Sequence, residues 1–180
     1  MSIFAFYGIS YLIRVPAVST ASRPREIYLP LLCSILPFGI YESYSWSFLP
    51  WIQNYHFLQK LLMPFASTFL TQRSLLITFV IISGNALSLA AIVSLKKSFS
   101  ILTEARALVT TGVYRWVRHP LYIGESLTTL GCCLYLPSWF NVFLTVFFFV
   151  LILLRAKFEE GKMIEFFPEY QEYKARVFPV

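Results

Sequence analysis

The residue types that do chemistry concentrate in two short segments of the chain. The first, residues 111–125, reads TGVYRWVRHPLYIGE. Pro120 suits the first position of a helix, where its missing N–H would have no partner anyway. His119 then sits at the cap, and the free N–H groups and positive end of the helix favour an anion beside Arg118. Tyr122 and Glu125 share a helix face. Glu125 falls about one and a half turns into an apolar helix, where an ionisable side chain is a functional candidate by default. The second segment reads RAKFEE over residues 155–160 and continues as FPEYQEY over 167–173. Arg155 and Glu159 are spaced to pair along a helix, and Glu160 extends the acidic pair within a basic tail. An arginine fork can hold a carboxylate through two parallel hydrogen bonds, and a glutamate or histidine can take a proton from a reacting group. Arg155 follows the apolar run 142–154, so its guanidinium either faces such an acceptor or snorkels to lipid headgroups. The sequence leaves both readings of Arg155 open.

These segments act together only if the rest of the chain brings them to one place. The chain has 180 residues, of which 57% are hydrophobic and 13% charged. A soluble domain carries roughly 25% charged residues, so the solvent here must be largely lipid. All nine acidic residues are Glu, which excludes Ser-His-Asp triads, DxDxDG calcium loops and Walker-B aspartates. Two histidines and three cysteines are too few for a dedicated zinc site. Cys132 and Cys133 are adjacent inside an apolar run, which rules out a disulfide framework and keeps the thiols unreactive. The net charge of +6 reads as a topology signal, with no nucleic-acid partner implied.

Four stretches are long and apolar enough to be read as spans: residues 27–47, 74–95, 121–136 and 139–154. The last two are short, and Pro137-Ser138 between them predicts a tight helical hairpin. Residues 1–13 are apolar but too short for a full span and are read as a partial first helix. Thirteen of the fifteen basic residues fall on one side of this map, leaving Lys60 and Arg73 on the other. The positive-inside rule then places the middle loop and the C-terminal tail in the cytoplasm. Residues 50–63 put Trp51, Ile52, Tyr55, Leu58 and Leu62 on one helical face, an interfacial helix with His56 on its wet side. Pro30 and Pro37 are expected to kink the first span, and Glu42 to reach the interface near its outer end. Gly124 and Gly131 lie seven apart on one face, a small-residue surface for close helix packing. The expected architecture is an all-α polytopic bundle of four to five spans. Residues 1–95 supply N-terminal helices, and 96–180 supply the catalytic loop, hairpin and tail of one integrated domain.

From residue 95 to 177 the chain resembles the isoprenylcysteine carboxyl methyltransferase family, within the integral-membrane methyltransferases that include phospholipid methyltransferases. The resemblance rests on LVTTGVYRWVRHPLYIGE, on RAKFEE and on FPEYQEYKARV. It implies S-adenosylmethionine held between the last helices and the tail, with His119, Tyr122, Gly124, Glu159 and Glu160 as cofactor-binding residues. Arg155 would face the acceptor, Arg118 would support the site and Glu125 would join them in catalysis. The implied acceptor is a lipophilic or prenylated molecule drawn from the membrane. Sterol and steroid reductases of the membrane share RHPxYxGE and use NADPH, but they are considerably longer, and the RxxxEE ending leans toward methyl transfer. A phospholipid N-methyltransferase and a non-enzymatic membrane module are the remaining alternatives.

Methyl transfer from a sulfonium needs alignment above all and no metal. A carboxylate acceptor is already ionised at pH 7, with a reference pKa near 4. Charge then disappears along the path, which a dry site favours. Tyr122 could offer its ring to the sulfonium. An amine acceptor would need a proton removed, with Glu125 or His119 as candidates. The sequence alone does not choose between them.

Overall fold

The first helix, α1, runs Pro24–Trp46, and a short second helix, α2, covers His56–Leu62. Next come α3, Ser74–Leu95, and a 3-10 turn, Gly112–Arg115. The C-terminal part holds α4, Pro120–Tyr135, α5, Trp139–Phe166, and α6, Tyr170–Arg176. The computed structural model describes residues 16–46, 49, 55–62, 74–95, 98, 100, 102, 104, 105 and 107–178. Among these residues the fold is helical, with isolated bridges Ser19–Ala105 and Val117–Phe178 beside the helices. The expected all-α class is therefore found. Two of the described helices are long and apolar enough to cross a membrane, Leu75–Leu95 and Trp139–Phe166. The expected partial helix at 1–13 lies outside the described residues.

The outer faces of the long helices are apolar. Tyr28, Ile35 and Phe38 on α1, Leu75, Leu76 and Phe79 on α3, and Phe143, Val146 and Val150 on α5 are all exposed. Exposed apolar residues in such number mark contact with lipid or protein.

Helix α5 differs from its expected span. It does not stop at 154 but continues to Phe166, 28 residues in all. Past the lipid-like run its ionisable residues pair with partners, as described below, so nothing forces the helix to end where hydrophobicity does. Helix α4 has 16 residues, about 24 Å at 1.5 Å per residue, short of the ~30 Å hydrocarbon core.

The link 136–138 joins α4 to α5, yet α4 lays its main interface on α3, and α5 lies on α1. Glycine explains the first pairing. A Cβ on Gly84 would stand 2.7 Å from the Gly124 carbonyl oxygen, and one on Gly124 would stand 2.7 Å from that of Gly84. Ser88 and Thr128, each four residues further along its helix, complete the small-residue seam. Ile81 meets Gly131 further along, so the two helices run antiparallel with their backbones nearly touching. Their gain is dispersion contact, which holds helices together in lipid where the hydrophobic effect between them vanishes.

The second pairing is pinned by a buried polar knot at the end remote from the two chemical segments. The Ser43 hydroxyl donates to Asn141 Oδ1 at 2.8 Å, and Asn141 Nδ2 donates to the Leu136 carbonyl at 2.7 Å. Ser138 caps α5 by accepting from the Asn141 amide. Both Pro30 and Pro37 lie inside α1. On α2, Leu62 is buried and Leu58 half-buried, while Tyr55 and His56 are exposed. Residues 50–54 and 63 of the expected interfacial helix lie outside the described residues.

At the opposite end the antiparallel order gathers the start of α1, the loop leading into α4, the last turns of α5 and all of α6. Beneath them sits the apolar core, with Cys33, Ala91, Ile92, Leu121, Phe148 and Ile152 buried together.

Candidate functional site

Helix α4 begins as its sequence dictates, with His119 at the N-cap and Pro120 in the first turn. The His119 side chain makes no capping bond. Its ring instead stacks on Tyr122, 5.2 Å between centroids and 3° between planes. The Arg155 guanidinium lies 5.0 Å from the centre of the same Tyr122 ring. From α5, Arg155 Nε donates to Glu159 Oε1 at 3.1 Å, and the Tyr122 hydroxyl is hydrogen-bonded to Glu159 as well. Arg155 is only 4% exposed. Its guanidinium is therefore packed inside the protein, against Glu159 and Tyr122. Tyr122 also has Arg155 on the ring that was expected to meet a sulfonium.

A cavity of about 130 Å³ opens beside this cluster. Arg118, His119, Tyr122, Arg155 and Glu159 line it, five of the residues singled out from the sequence. The loop after α3 supplies another wall through Ser100, Glu104 and Val109, and α6 closes over it with Tyr170 and Tyr173.

The acidic pair divides its work. Glu159 faces the cavity. Glu160 is not among the lining residues and binds the side chains around it: Arg118 Nη1 at 2.6 Å, His119 Nε2 at 3.3 Å and Lys174 Nζ at 2.7 Å. The anion expected beside Arg118 at the start of α4 is thus the chain's own carboxylate. It fastens α6 and the helix start to α5. Two further bonds complete that fastening, Tyr173 Oη to the Tyr114 carbonyl at 2.7 Å and the Arg118 amide to the Phe178 carbonyl at 3.0 Å. Burial pushes the Tyr173 phenol up to about 12. Tyr170 is raised too, first by burial and then by the Glu160 carboxylate. Both phenols therefore stay neutral donors at any physiological pH.

The model defining the phospholipid methyltransferase family matches residues 65–169, more than half of the chain. The chain belongs to that family. Curated relatives include the protein-S-isoprenylcysteine O-methyltransferase of Saccharomyces cerevisiae, 40% identical over 89 residues, 44% of this chain and 36% of the relative. The human protein of the same name is 34% identical over 107 residues, 54% of this chain and 37% of that one. The Schizosaccharomyces pombe protein is 31% identical over 105 residues, covering 52% and 43%. The chain spans about four-tenths of the length of the relatives it matches. The isoprenylcysteine methyltransferase resemblance carried by the two motifs is thereby found, inside the wider family named beside it.

Besides Glu160, two more of the sequence-derived candidates stand apart from the cavity lining in this family member. Gly124 is buried in the α3–α4 crossing, where its missing side chain lets the Gly84 backbone approach. Glu125 is half-buried and lies close enough to Tyr122, Cys33 and Arg155 to act on them electrostatically. Sequence reasoning missed Lys162 and the two tail tyrosines. Lys162 was legible by spacing, since 155, 159 and 162 recur on one helical face.

The residues present fit S-adenosylmethionine. Among the described residues, Arg118 Nε is buried with no hydrogen-bond partner, a donor beside a cavity that suits a carboxylate. Glu159 offers a counter-charge for an ammonium, and the tyrosines offer flat apolar walls for an aromatic base.

Proposed function

We propose that this chain is an S-adenosylmethionine-dependent methyltransferase of the membrane, acting on the carboxylate of a lipophilic acceptor of the isoprenylcysteine type. The observation that carries the reading is Arg155. It is a buried guanidinium, braced by Glu159 and Tyr122, that opens on a cavity shared with Arg118 and His119. In this reading the bundle has four to five spans, with the cavity and the tail on the cytoplasmic side. That orientation follows from the thirteen basic residues that the sequence map assigns to one side and from the positive-inside rule.

The bound cofactor supplies an electrophilic methyl group on a sulfonium. Arg118 and Glu159 would hold its carboxylate and ammonium, with Tyr170 and Tyr173 against its apolar parts. The Arg155 guanidinium, a planar fork of five N–H donors, would hold and orient an acceptor carboxylate. Because that carboxylate is ionised already, no residue has to remove a proton, and the chain's task is alignment and exclusion of water. The relatives' printed names, protein-S-isoprenylcysteine O-methyltransferase, support an oxygen acceptor. The family description, phospholipid methyltransferase, supports the second reading, an amine acceptor with Glu125 or His119 taking its proton.

Detergent-purified protein given radiolabelled S-adenosylmethionine and an S-prenylcysteine with a free carboxyl group separates these readings. Base-labile incorporation, lost when the carboxyl is blocked, is the expected outcome. Base-stable label transferred to a phospholipid amine would favour the second reading. Saturable binding of NADPH with none of S-adenosylmethionine would overturn both.

A further inference from the structure

Lys162 belongs to the same face of α5 as Arg155 and Glu159 and lines the same cavity, yet its ammonium points away toward the start of the chain. It donates to the Thr20 carbonyl at 3.0 Å and to Glu26 Oε2 at 3.1 Å, with its side chain 9% exposed. Glu26 in turn accepts from the Ser22 amide at 2.9 Å and the Arg23 amide at 3.3 Å, which closes the first turn of α1. Arg25 adds a second tie, its guanidinium 4.8 Å from the centre of the Phe158 ring on α5.

One residue before Thr20 the segment pairs with the loop that walls the cavity. Ser19 and Ala105 exchange both backbone hydrogen bonds at 3.1 Å, and the Val18 amide donates to the same Ala105 carbonyl at 2.7 Å. Ala105 is fully buried, and its neighbours Glu104 and Ala107 line the cavity. A continuous chain of contacts therefore runs from Lys162 through Thr20 and Ser19 to the wall opposite α5.

We propose that Lys162 is a positioning residue: through Thr20 and Glu26 it straps the N-terminal segment across the loop at 104–109 and so sets the shape of the donor cavity. The ligand part of this proposal rests on the methyl-donor reading above. It gives a role to residues 16–26, which lie wholly outside the part of the chain matched by the family model.

The test uses the full chain in detergent, with S-adenosylhomocysteine as the probe and amide hydrogen exchange read without ligand. Lys162→Met keeps the apolar stem and removes the ammonium. It should speed exchange at Ala105 and Ser19, leave α3 and α4 unchanged, and weaken probe binding tenfold or more. Glu26→Gln should do the same to a smaller degree, and Lys162→Arg should restore most of the binding. The deciding variant adds Ser19→Cys and Ala105→Cys to Lys162→Met in a background free of native cysteines. Such hydrogen-bonded antiparallel pairs stand about 5.5 Å apart at Cα, within disulfide reach. Oxidation should recover binding. Failure of the closed disulfide to recover it, or unchanged exchange at Ala105 in Lys162→Met, overturns the proposal. Absence of probe binding to the unaltered protein would sink the methyl-donor reading and the ligand part with it, while the exchange data still decide the strap.

Discussion

Arg155 shows how much one side chain's surroundings decide. Its neighbours on either side of the helix, Leu154 and Lys157, are exposed while it is buried, and its Nε is committed to Glu159. Lysine would keep the charge but could not bond Glu159 and still present two parallel donors to an acceptor. Arg155→Lys should therefore leave S-adenosylmethionine affinity near the unaltered value and cut methyl transfer tenfold or more, about 1.4 kcal/mol at the barrier. Near-normal turnover would remove the case for a carboxylate acceptor. Tyr173 offers a second residue-scale test, since its hydroxyl bonds the Tyr114 carbonyl inside the fold. Tyr173→Phe leaves that carbonyl without its donor and should cost about 1–3 kcal/mol of stability. The phenol's value is raised on folding, so its contribution is complete below about pH 10 and lost as pH rises toward 12. Alkaline melting curves of the two proteins should converge there. At this scale the motifs named residues that the fold brings to one cavity, because RHPxY and RAKFEE are local patterns. They could not divide Glu159 from Glu160, since which of two adjacent carboxylates faces a cavity depends on helix phase against α6, a long-range contact.

For the helices, the sequence located every apolar run but not who packs with whom. Hydrophobicity is uniform around α3, so nothing in its periodicity announces a partner. The information sits in Gly84, Ser88, Gly124 and Thr128; the sequence marked Gly124 as part of a packing face, and the partner face around Gly84 on α3 went unread. Gly124→Ala forces a methyl against the Gly84 carbonyl and the Ser88 amide, both within 2.7 Å of the new Cβ. Neither is a flexible group, so the helices must part, and a loss of about 1–3 kcal/mol is expected. Gly161→Ala is the control, because a Cβ there meets nothing within 4 Å. Mid-helix and exposed, it should gain about 0.5–1 kcal/mol from the lower entropy of alanine. Thermal unfolding of the two variants in one detergent compares them directly, and equal midpoints would contradict the close crossing. The over-run of α5 to Phe166 was hidden for another reason: spans are read from apolarity, and helices end where their backbone does.

Across the whole molecule, charge supplied an expected topology, and the shape of the basic end was not legible in the sequence. Residues 16–26 look like an unremarkable flank in sequence, and the strap they form depends on a lysine more than a hundred residues away. The Glu26 carboxyl is held below its usual range. Burial works to raise it, but the Ser22 amide, the Lys162 ammonium and the Arg23 amide outweigh burial. A carboxyl depressed on folding contributes stability that is complete above its unfolded value near 4.3 and fades as pH falls further. Melting midpoints should be level from pH 7 to 5 and drop below about 4, with a smaller drop in Glu26→Gln. Orientation has its own test. Tyr135, at the knotted end, and Gln171, on α6, are both exposed. Single cysteines at these two positions in a cysteine-free background should react with an impermeant thiol reagent from opposite sides of the bilayer. Labelling from one side would overturn the arrangement.

The knot of Ser43, Asn141 and Ser138 gives the protein a directional response to ionic strength. Its bonds join neutral groups that are almost wholly buried, so dissolved ions neither reach nor weaken them. The ties at the other end are charged, and those of Lys174, with 41% of its side chain exposed, and Arg176 face water. Mobile ions screen such contacts within about 8–10 Å at ordinary salt concentrations. Added salt should therefore relax α6 and leave the far turn between α4 and α5 as it was. The chain is sewn shut at one end and only buttoned at the other, and the buttons are on the side where the cavity lies.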